Sequence, residues 1–495
     1  MMKKQAVNPY LPFWEHIPDD EPHVFDGRIY VYGSNDGESG TTFCQGDYEG
    51  WSAPVDDLSD WRYEGIIYRK EQDPINGAPY DRELPPYEKP VFGSGMRFLY
   101  APDVARGKDG RYYLYYALDY VNTISVAVCD TPAGSYEFLG YVTNEDGSIP
   151  REGRWFDPAI LVEDSGNYLY YGFCPKVRFP GMEDQDLTCS RMVRLADDMH
   201  TIVGKPIPIA NGIESAAGTS FEEHPFFEAS SIRRFGDQYY FVYSSLQGHE
   251  LCYATSANPD GPFRYRGVLI SNADIGYRGN QQPVNYYGNN HGGLEEINGK
   301  LYVFWHRQTQ GSEFARQGCA DEVALLPDGS IPQTEVTSCG LNGGPLAAKG
   351  KYETYIACQL MEKDRAKVGH VVSGGPGNGL PDIPESWPYI TSEKDEEGEH
   401  GMKPYIRNMR QGAAAGFKYF AFDGTEKKIL LEIRGQGSMK VALDSPDGEV
   451  IAETEAGDAD DWSEASADIQ KTEGKHALYF TVLDGKLDFA SFEIS

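Results

Sequence analysis

The strongest constraint on this chain is one phrase written five times: a short strand, a tight turn, and a second strand rich in aromatic and β-branched residues. The turns fall at Asp26-Gly27, Asp109-Gly110, Ser165-Gly166, Gly236-Asp237 and Asn298-Gly299. Behind them come Arg28-Ile29-Tyr30-Val31-Tyr32, Arg111-Tyr112-Tyr113-Leu114-Tyr115-Tyr116, Asn167-Tyr168-Leu169-Tyr170-Tyr171, Gln238-Tyr239-Tyr240-Phe241-Val242-Tyr243 and Lys300-Leu301-Tyr302-Val303-Phe304-Trp305. Gly paired with Asp, Asn or Ser between such runs is a hairpin signal. The repeat is irregular, on the order of 55–85 residues, and five units that each need a neighbour to cover them make a five-bladed β-propeller. A second phrase supports blades. Val126 to Phe138 and Leu251 to Tyr265 each read as a strand, a Pro- and Gly-bearing turn and another strand, the outer strands of two blades.

Each unit opens on a polar residue at nearly the same offset from its turn glycine. Asp19, Glu228 and His291 lie eight residues before Gly27, Gly236 and Gly299; Asp103 lies seven before Gly110 and Asp157 nine before Gly166. If the units are blades, four acids and a histidine gather at one end of the central channel. Clustered carboxylates push their pKa values apart, which sorts them into acid and base roles. Glu228 follows Phe226 and Phe227, and a carboxyl among aromatic rings resists ionisation, as a general acid near neutral pH must. Taken alone, Glu228 reads first as a surface glutamate paired with a nearby arginine. Asp20 is the alternative to Asp19, and alternation along an extended chain points the two in opposite directions.

The rest of the composition narrows the function. The 495 residues exceed one ordinary core, so two domains are expected. With 76 acidic against 44 basic side chains and a net charge of −32, a phosphate backbone is repelled and nucleic acid is excluded as a partner. No long apolar run could span a membrane. The 34 tyrosines fit strands and also fit ring stacking on sugars. Eight cysteines lie without a zinc spacing or a Cys-x-x-Cys pair and read as free thiols. Met1-Met2-Lys3-Lys4 has no apolar stretch behind it, so a cytoplasmic location is expected; a trimmed leader would leave a secreted protein reading the same way.

After the fifth unit the chain runs through a polar passage to about residue 330, and there its texture changes. A glycine-rich loop at 373–379 and an acidic run at 393–399 precede strands at 416–422, 428–434, 439–444, 449–453 and 477–482, with Asp447-Gly448 and Asp484-Gly485 as turn signals. The expected organisation is all-β: a propeller over residues 1–330 and a β-sandwich over 331–495.

The propeller phrases resemble glycoside hydrolase family 43. They are Ile17-Pro18-Asp19, His23-Val24-Phe25, Tyr30 to Asp36, Ala101-Pro102-Asp103-Val104, Phe156-Asp157-Pro158-Ala159, Phe227-Glu228-Ala229-Ser230, His291, and His306-Arg307-Gln308-Thr309, in the family's order. The resemblance implies an inverting glycosidase with Asp19 as general base, Glu228 as general acid and Asp157 as the carboxylate that orients and tunes the acid. Asn35 stands where relatives often carry histidine. The tail resembles a family 6-like carbohydrate-binding sandwich around Arg410 to Phe420, read as a structural appendage.

The chemistry places two carboxyl groups on opposite sides of an anomeric carbon, roughly 6.5–9.5 Å apart for inversion and about 5 Å for retention. Asp19 and Glu228, from non-adjacent blades, suit the wider spacing. Asp103 and Asp36 are assigned to substrate hydroxyls or pocket shape, and Arg307 to a substrate hydroxyl or the acid, with an ordinary ion pair as its other reading. His291 is either a hydrogen-bonded channel histidine or faces a cation through water, since calcium prefers oxygen ligands. No cofactor is required, and a structural calcium is left open. The expected substrates are hemicellulose oligosaccharides or polysaccharides, cut as an α-L-arabinofuranosidase or β-D-xylosidase. A galactofuranoside enzyme or a non-catalytic sugar-binding propeller are the alternatives; the matched acids favour an enzyme.

Overall fold

A computed structural model describes residues 4–38, 40, 42–77, 97–119, 121–178, 182–363 and 387–495. Five antiparallel sheets form the blades of a propeller. Blade 1 holds Glu21–Phe25, Arg28–Tyr32, Tyr48–Pro54 and Arg62–Tyr68; blade 2 holds Leu99–Arg106, Tyr112–Leu118, Ile124–Cys129 and Glu137–Tyr141. Blade 3 holds Ala159–Glu163, Gly166–Tyr171, Cys189–Leu195 and Ile202–Asn211; blade 4 holds Phe226–Phe235, Gln238–Ser245, Glu250–Ser256 and Arg264–Ser271. Blade 5 has three strands, Leu294–Ile297, Lys300–Thr309 and Ser312–Val323. The last of these occupies the stretch read from sequence as a polar passage. Its alternation is masked because Glu313, Arg316, Gln317 and Asp321 are all buried.

The hairpin turns sit where the repeats place them, with one difference. In blade 3 Glu163 pairs with Gly166, so the turn is Asp164-Ser165 and Gly166 already belongs to the strand. Asp26 and Gly27, and likewise Asn298 and Gly299, take positive φ at both central positions, the geometry whose twist matches that of the flanking strands. The entry segment closes the ring. Asp20 bridges Gly292 in parallel, and the Asn8 side chain clasps the backbone of Ala320 by donating to its carbonyl and accepting from its N–H, both at 2.9 Å.

The C-terminal region begins at Leu346 and forms one nine-stranded hydrogen-bonded network, not two separate sheets. Its core gathers Phe417, Phe420, Phe480, Phe489 and Phe492. The strands expected at 428–434 and 439–444 are one, Lys428–Leu443, and Asp484-Gly485 lies inside the 22-residue strand Glu473–Ile494. The reason is close backbone approach at the bend. A Cβ on Gly437 would lie 2.2 Å from the Asp484 carbonyl oxygen, and one on Gly435 would lie 2.4 Å from that of Lys486. These glycines bend a continuous strand through register shifts instead of ending it. The glycine-rich loop at 373–379 lies outside the described residues.

Propeller and tail share an apolar cluster. Tyr240, Val284, Trp305 and Cys319 pack in it with Cys358, Met361, Ala414 and Tyr479. No helix among the described residues is long and apolar enough to cross a membrane.

Candidate active site

Strand entries build the site. Prolines flank them at Pro18, Pro158 and Pro225, where a ladder N–H is dispensable. Asp19 (φ 62°), Asp157 (φ 44°) and Ala229 (φ 67°) all take left-handed backbone conformations, sparsely populated for residues with a Cβ and concentrated at functional sites. Register shifts flank Glu228 on both sides, between Phe226 and Glu228 and again before Ser231. Such bulges turn a side chain away from the ordinary alternation of its strand.

Asp19 is buried and accepts a hydrogen bond from Arg316 Nη1 at 2.8 Å. Burial alone would raise its pKa; the Arg316 charge, with His291 and His306 acting in the same direction, outweighs burial and holds the carboxyl at about 2. The Asp19 backbone N–H donates to His306 Nδ1 at 3.3 Å, and His306 Nε2 lies 2.8 Å from the Asn289 carbonyl oxygen. His306 therefore carries its proton on Nε2, and burial keeps it neutral, with a pKa near 3.

Glu228 pairs with Ser244 in its blade, and its half-buried carboxyl takes no hydrogen bond from the described residues. Burial first, and the Asp19 charge second, raise it to about 8 against the opposing pull of Arg316. Phe227 adjoins it, and the rings of Phe227, Phe173 and Phe156 follow one another at centroid distances of 5.2 Å. Asp157 Oδ2 accepts the Ala229 N–H at 2.8 Å, so it grips the backbone directly beside Glu228. Burial and Glu228 push Asp157 upward as well, and the two share their protons as a pair. The Ala229 donor opposes that upward shift at Asp157, and no hydrogen-bond donor opposes it at Glu228. His291 Nδ1 lies 3.8 Å from both Asp19 Oδ1 and Asp157 Oδ2, and burial holds it neutral with a pKa near 4.

The other sequence candidates lie elsewhere. Asp103 is fully buried one step deeper in the channel, 2.6 Å from His23 Nε2 and accepting the N–H groups of Val104 and Ile160, each at 2.7 Å. It pins blades 1, 2 and 3 together. Asp36 is consumed: its oxygens accept Arg316 Nε at 2.7 Å, Arg316 Nη2 at 2.9 Å and the Cys44 N–H at 2.9 Å. It orients the arginine that holds Asp19. Arg307 donates to Gln317 Oε1 and to the carbonyls of Tyr355 and Ala357, at 2.7 and 2.9 Å for the latter two, so it ties blade 5 to the tail. Arg316 is the residue that sequence reading missed, because the strand carrying it looked like a polar loop.

Below the acids lies a second charged layer. Arg233 bridges Glu21 at 3.0 Å and Glu295 at 3.1 Å, and its Nη2 lies 3.3 Å from His23 Nε2. Calcium takes six to eight oxygen ligands. Waters count among these ligands, and each layer also holds an arginine, Arg316 beside Asp19 and Arg233 beside Glu21. The site thus presents one carboxylate held ionised, one carboxyl held protonated, and a neutral histidine between the blades.

The model of the glycosyl hydrolases family 43 matches residues 24–331. A xylosidase/arabinosidase of Thermoclostridium stercorarium is 47% identical over 489 residues, 97% of this chain and 96% of its own. One of Bacteroides ovatus is 30% identical over 355 residues, 65% of this chain and 96% of its own. Among solved structures, a family 43 β-xylosidase/α-arabinofuranosidase from a compost microbial metagenome, in complex with xylotriose, superposes with a TM-score of 0.50 at 26% identity, over 67% of this chain and 98% of that one. With more than half its length matched by the family model and a near-full-length relative, the chain belongs to glycosyl hydrolases family 43, the inverting glycoside hydrolases whose chemistry needs no cofactor.

Proposed function

We propose that this enzyme releases pentoses from hemicellulose-derived glycosides, as an α-L-arabinofuranosidase and β-D-xylosidase, with Asp19 as general base and Glu228 as general acid. The observation that carries the roles is their opposite electrostatics: Arg316 keeps Asp19 near 2, while burial keeps Glu228 near 8. Asp19 takes a proton from water as its oxygen attacks the anomeric carbon. Glu228 gives its proton to the glycosidic oxygen as that bond breaks. The cycle leaves Asp19 protonated and Glu228 ionised, and exchange with solvent resets both. Asp157 acts through the Ala229 N–H, holding the bulged backbone that aims Glu228.

The sugar assignment rests on the two xylosidase/arabinosidase relatives. A panel of aryl glycosides tests it: α-L-arabinofuranoside and β-D-xyloside should be cleaved, with proton NMR reporting the inverted anomer first. Cleavage of a galactofuranoside in preference to both pentosides would overturn the assignment, and a retained anomer would overturn the roles.

A further inference from the structure

Behind the strand that bears Glu228, blade 4 brings three different metal-ligating side chains together. His224 Nδ1 lies 2.6 Å from Glu250 Oε1 and 3.9 Å from Cys252 Sγ, and Cys252 Sγ lies 3.5 Å from Glu250 Oε1. We propose that His224, Glu250 and Cys252 form a binding site for a zinc-class transition-metal ion.

The local structure makes the site. Glu250 and Cys252 are two residues apart on one strand, so both side chains leave the same face. His224 precedes the acid-bearing strand; its ring stacks on Tyr265 at 4.8 Å and 11°, and its carbonyl accepts the Tyr243 hydroxyl at 2.7 Å. Zinc takes sulfur at about 2.3 Å and nitrogen or oxygen at about 2.0–2.2 Å, which puts tetrahedral ligand atoms about 3.4–3.6 Å from one another. The Cys252–Glu250 edge is already there, and the Cys252–His224 edge is slightly long. The His224–Glu250 edge opens when the ion replaces the proton between them. The fourth position falls to water or to the Ser245 hydroxyl, 2.5 Å from Glu250 Oε1.

Charge and hardness favour this class of ion. One thiolate and one carboxylate cancel a divalent charge, and the N, O and S donors together suit zinc, not calcium or magnesium. Binding releases the Cys252 thiol proton, and the proton shared by His224 and Glu250, to solvent. His224 keeps 24% of its side chain exposed, which gives the ion an entry, while Cys252 is fully buried. The other such cluster, Glu21 with His23 and Asp103, differs because Arg233 already donates into it. A metal here would tie the approach to Glu228 to the third strand of its blade.

The test uses the full chain, stripped with chelator and titrated with cobalt(II). One equivalent should bind with a near-ultraviolet thiolate-to-cobalt charge-transfer band that added zinc removes. The band should be lost in Cys252→Ser and kept in Cys129→Ser, and zinc should raise the melting temperature of the parent but not of Cys252→Ser. His224→Ala, which keeps the buried thiol, should also lose the tight equivalent, so a misfolded Cys252→Ser does not decide the matter. Absence of the band in the parent protein, or its persistence in His224→Ala and Cys252→Ser, overturns the site.

Discussion

Arg316 Nη1 holds Asp19 at 2.8 Å while Nε and Nη2 of the same guanidinium clasp both oxygens of Asp36. One planar fork thus serves two buried carboxylates 280 and 297 residues away along the chain, and it sets the charge on the group assigned as base. Arg316→Met should leave both acids uncompensated, with a stability loss of about 3–5 kcal/mol. Without the arginine, burial dominates Asp19, so its pKa rises and the acidic limb of kcat/KM moves toward neutral pH. Arg316→Lys keeps a charge but cannot fork, and should recover only part of the activity. Profiles of kcat/KM against pH check this; an unmoved acidic limb in a folded Arg316→Met would separate the arginine from the base.

Glu228 near 8 predicts the opposite limb. Activity should be flat through neutral pH and fall as pH rises through about 8, because the acid loses its proton there. Glu228→Ala should lose roughly 10²–10⁴-fold on a xylo-oligosaccharide, the range for one general acid–base group. It should lose far less on a dinitrophenyl glycoside, whose leaving group departs without a proton, and that residual activity should lack the alkaline limb. Equal losses on both substrates would mean that Glu228 is not the acid.

The same raised pKa carries a stability cost of known sign. Below about 4.5, the carboxyl's ordinary value, folded and unfolded chains both keep the Glu228 proton and folding is not affected. Between about 4.5 and about 8 the unfolded chain releases that proton and the folded chain does not, so the group favours unfolding increasingly as pH rises. Glu228→Gln removes this effect. Its melting temperature should exceed that of the parent at pH 8, and the gap should close as pH falls to about 4. A gap independent of pH would place the effect in packing instead.

The repeat was legible because hairpin turns and aromatic strands are local signals, and Asp19, Asp157, Glu228 and His291 could be found by counting from them. Asp103 followed the same count yet sits one layer deeper, because the register shift between Tyr100 and Asp103 displaces it along its strand. Arg316 stayed hidden because its importance lies in a contact 280 residues long with Asp36, made from a strand whose buried face is polar. The tail's single network was illegible for a related reason. Gly437 and Gly485 look like turn residues in sequence, and only tertiary pairing shows that they let two continuous strands cross closely.

The tail should act as a brace. Lys418 reaches from it to Glu335 at 2.8 Å and to Asp274 of the propeller at 3.9 Å, and Tyr419 donates to Glu335 as well. Burial raises Asp274 to about 6 even with Lys418 opposing it. Lys418→Met should therefore cost about 3–5 kcal/mol by stranding buried acids, with KM on small aryl glycosides unchanged. A chain ending at residue 330 should be insoluble, since Trp305, Cys319 and Val284 lose the cover of Met361 and Tyr479. Retention of the full-length protein on arabinoxylan through the tail, detected by affinity electrophoresis with the propeller site blocked by product, would show a binding role beyond bracing.

Asp19 and Asp20 are adjacent acids, and the structure gives them opposite fates. Asp20 faces away from the site, packed between two glycines: a Cβ on Gly318 would lie 2.3 Å from its Oδ2, and one on Gly33 would lie 3.1 Å from its Oδ1. Burial raises its pKa well above the carboxylate range, with the Tyr10 hydroxyl opposing, so Asp20 is neutral where Asp19 is ionised. A neutral acid cannot take a proton from water at neutral pH. Asp19→Ala should thus lower kcat roughly 10²–10⁴-fold or more on every substrate, activated or not, because water attack is common to all of them. Asp20→Asn, a neutral replacement of the same shape, should keep kcat within a few-fold and alter the melting temperature instead. Steady-state kinetics on the two variants with a dinitrophenyl pentoside decide between them. Full activity in Asp19→Ala, or loss of kcat in a folded Asp20→Asn, would move the base one residue along the chain and with it the face from which water attacks.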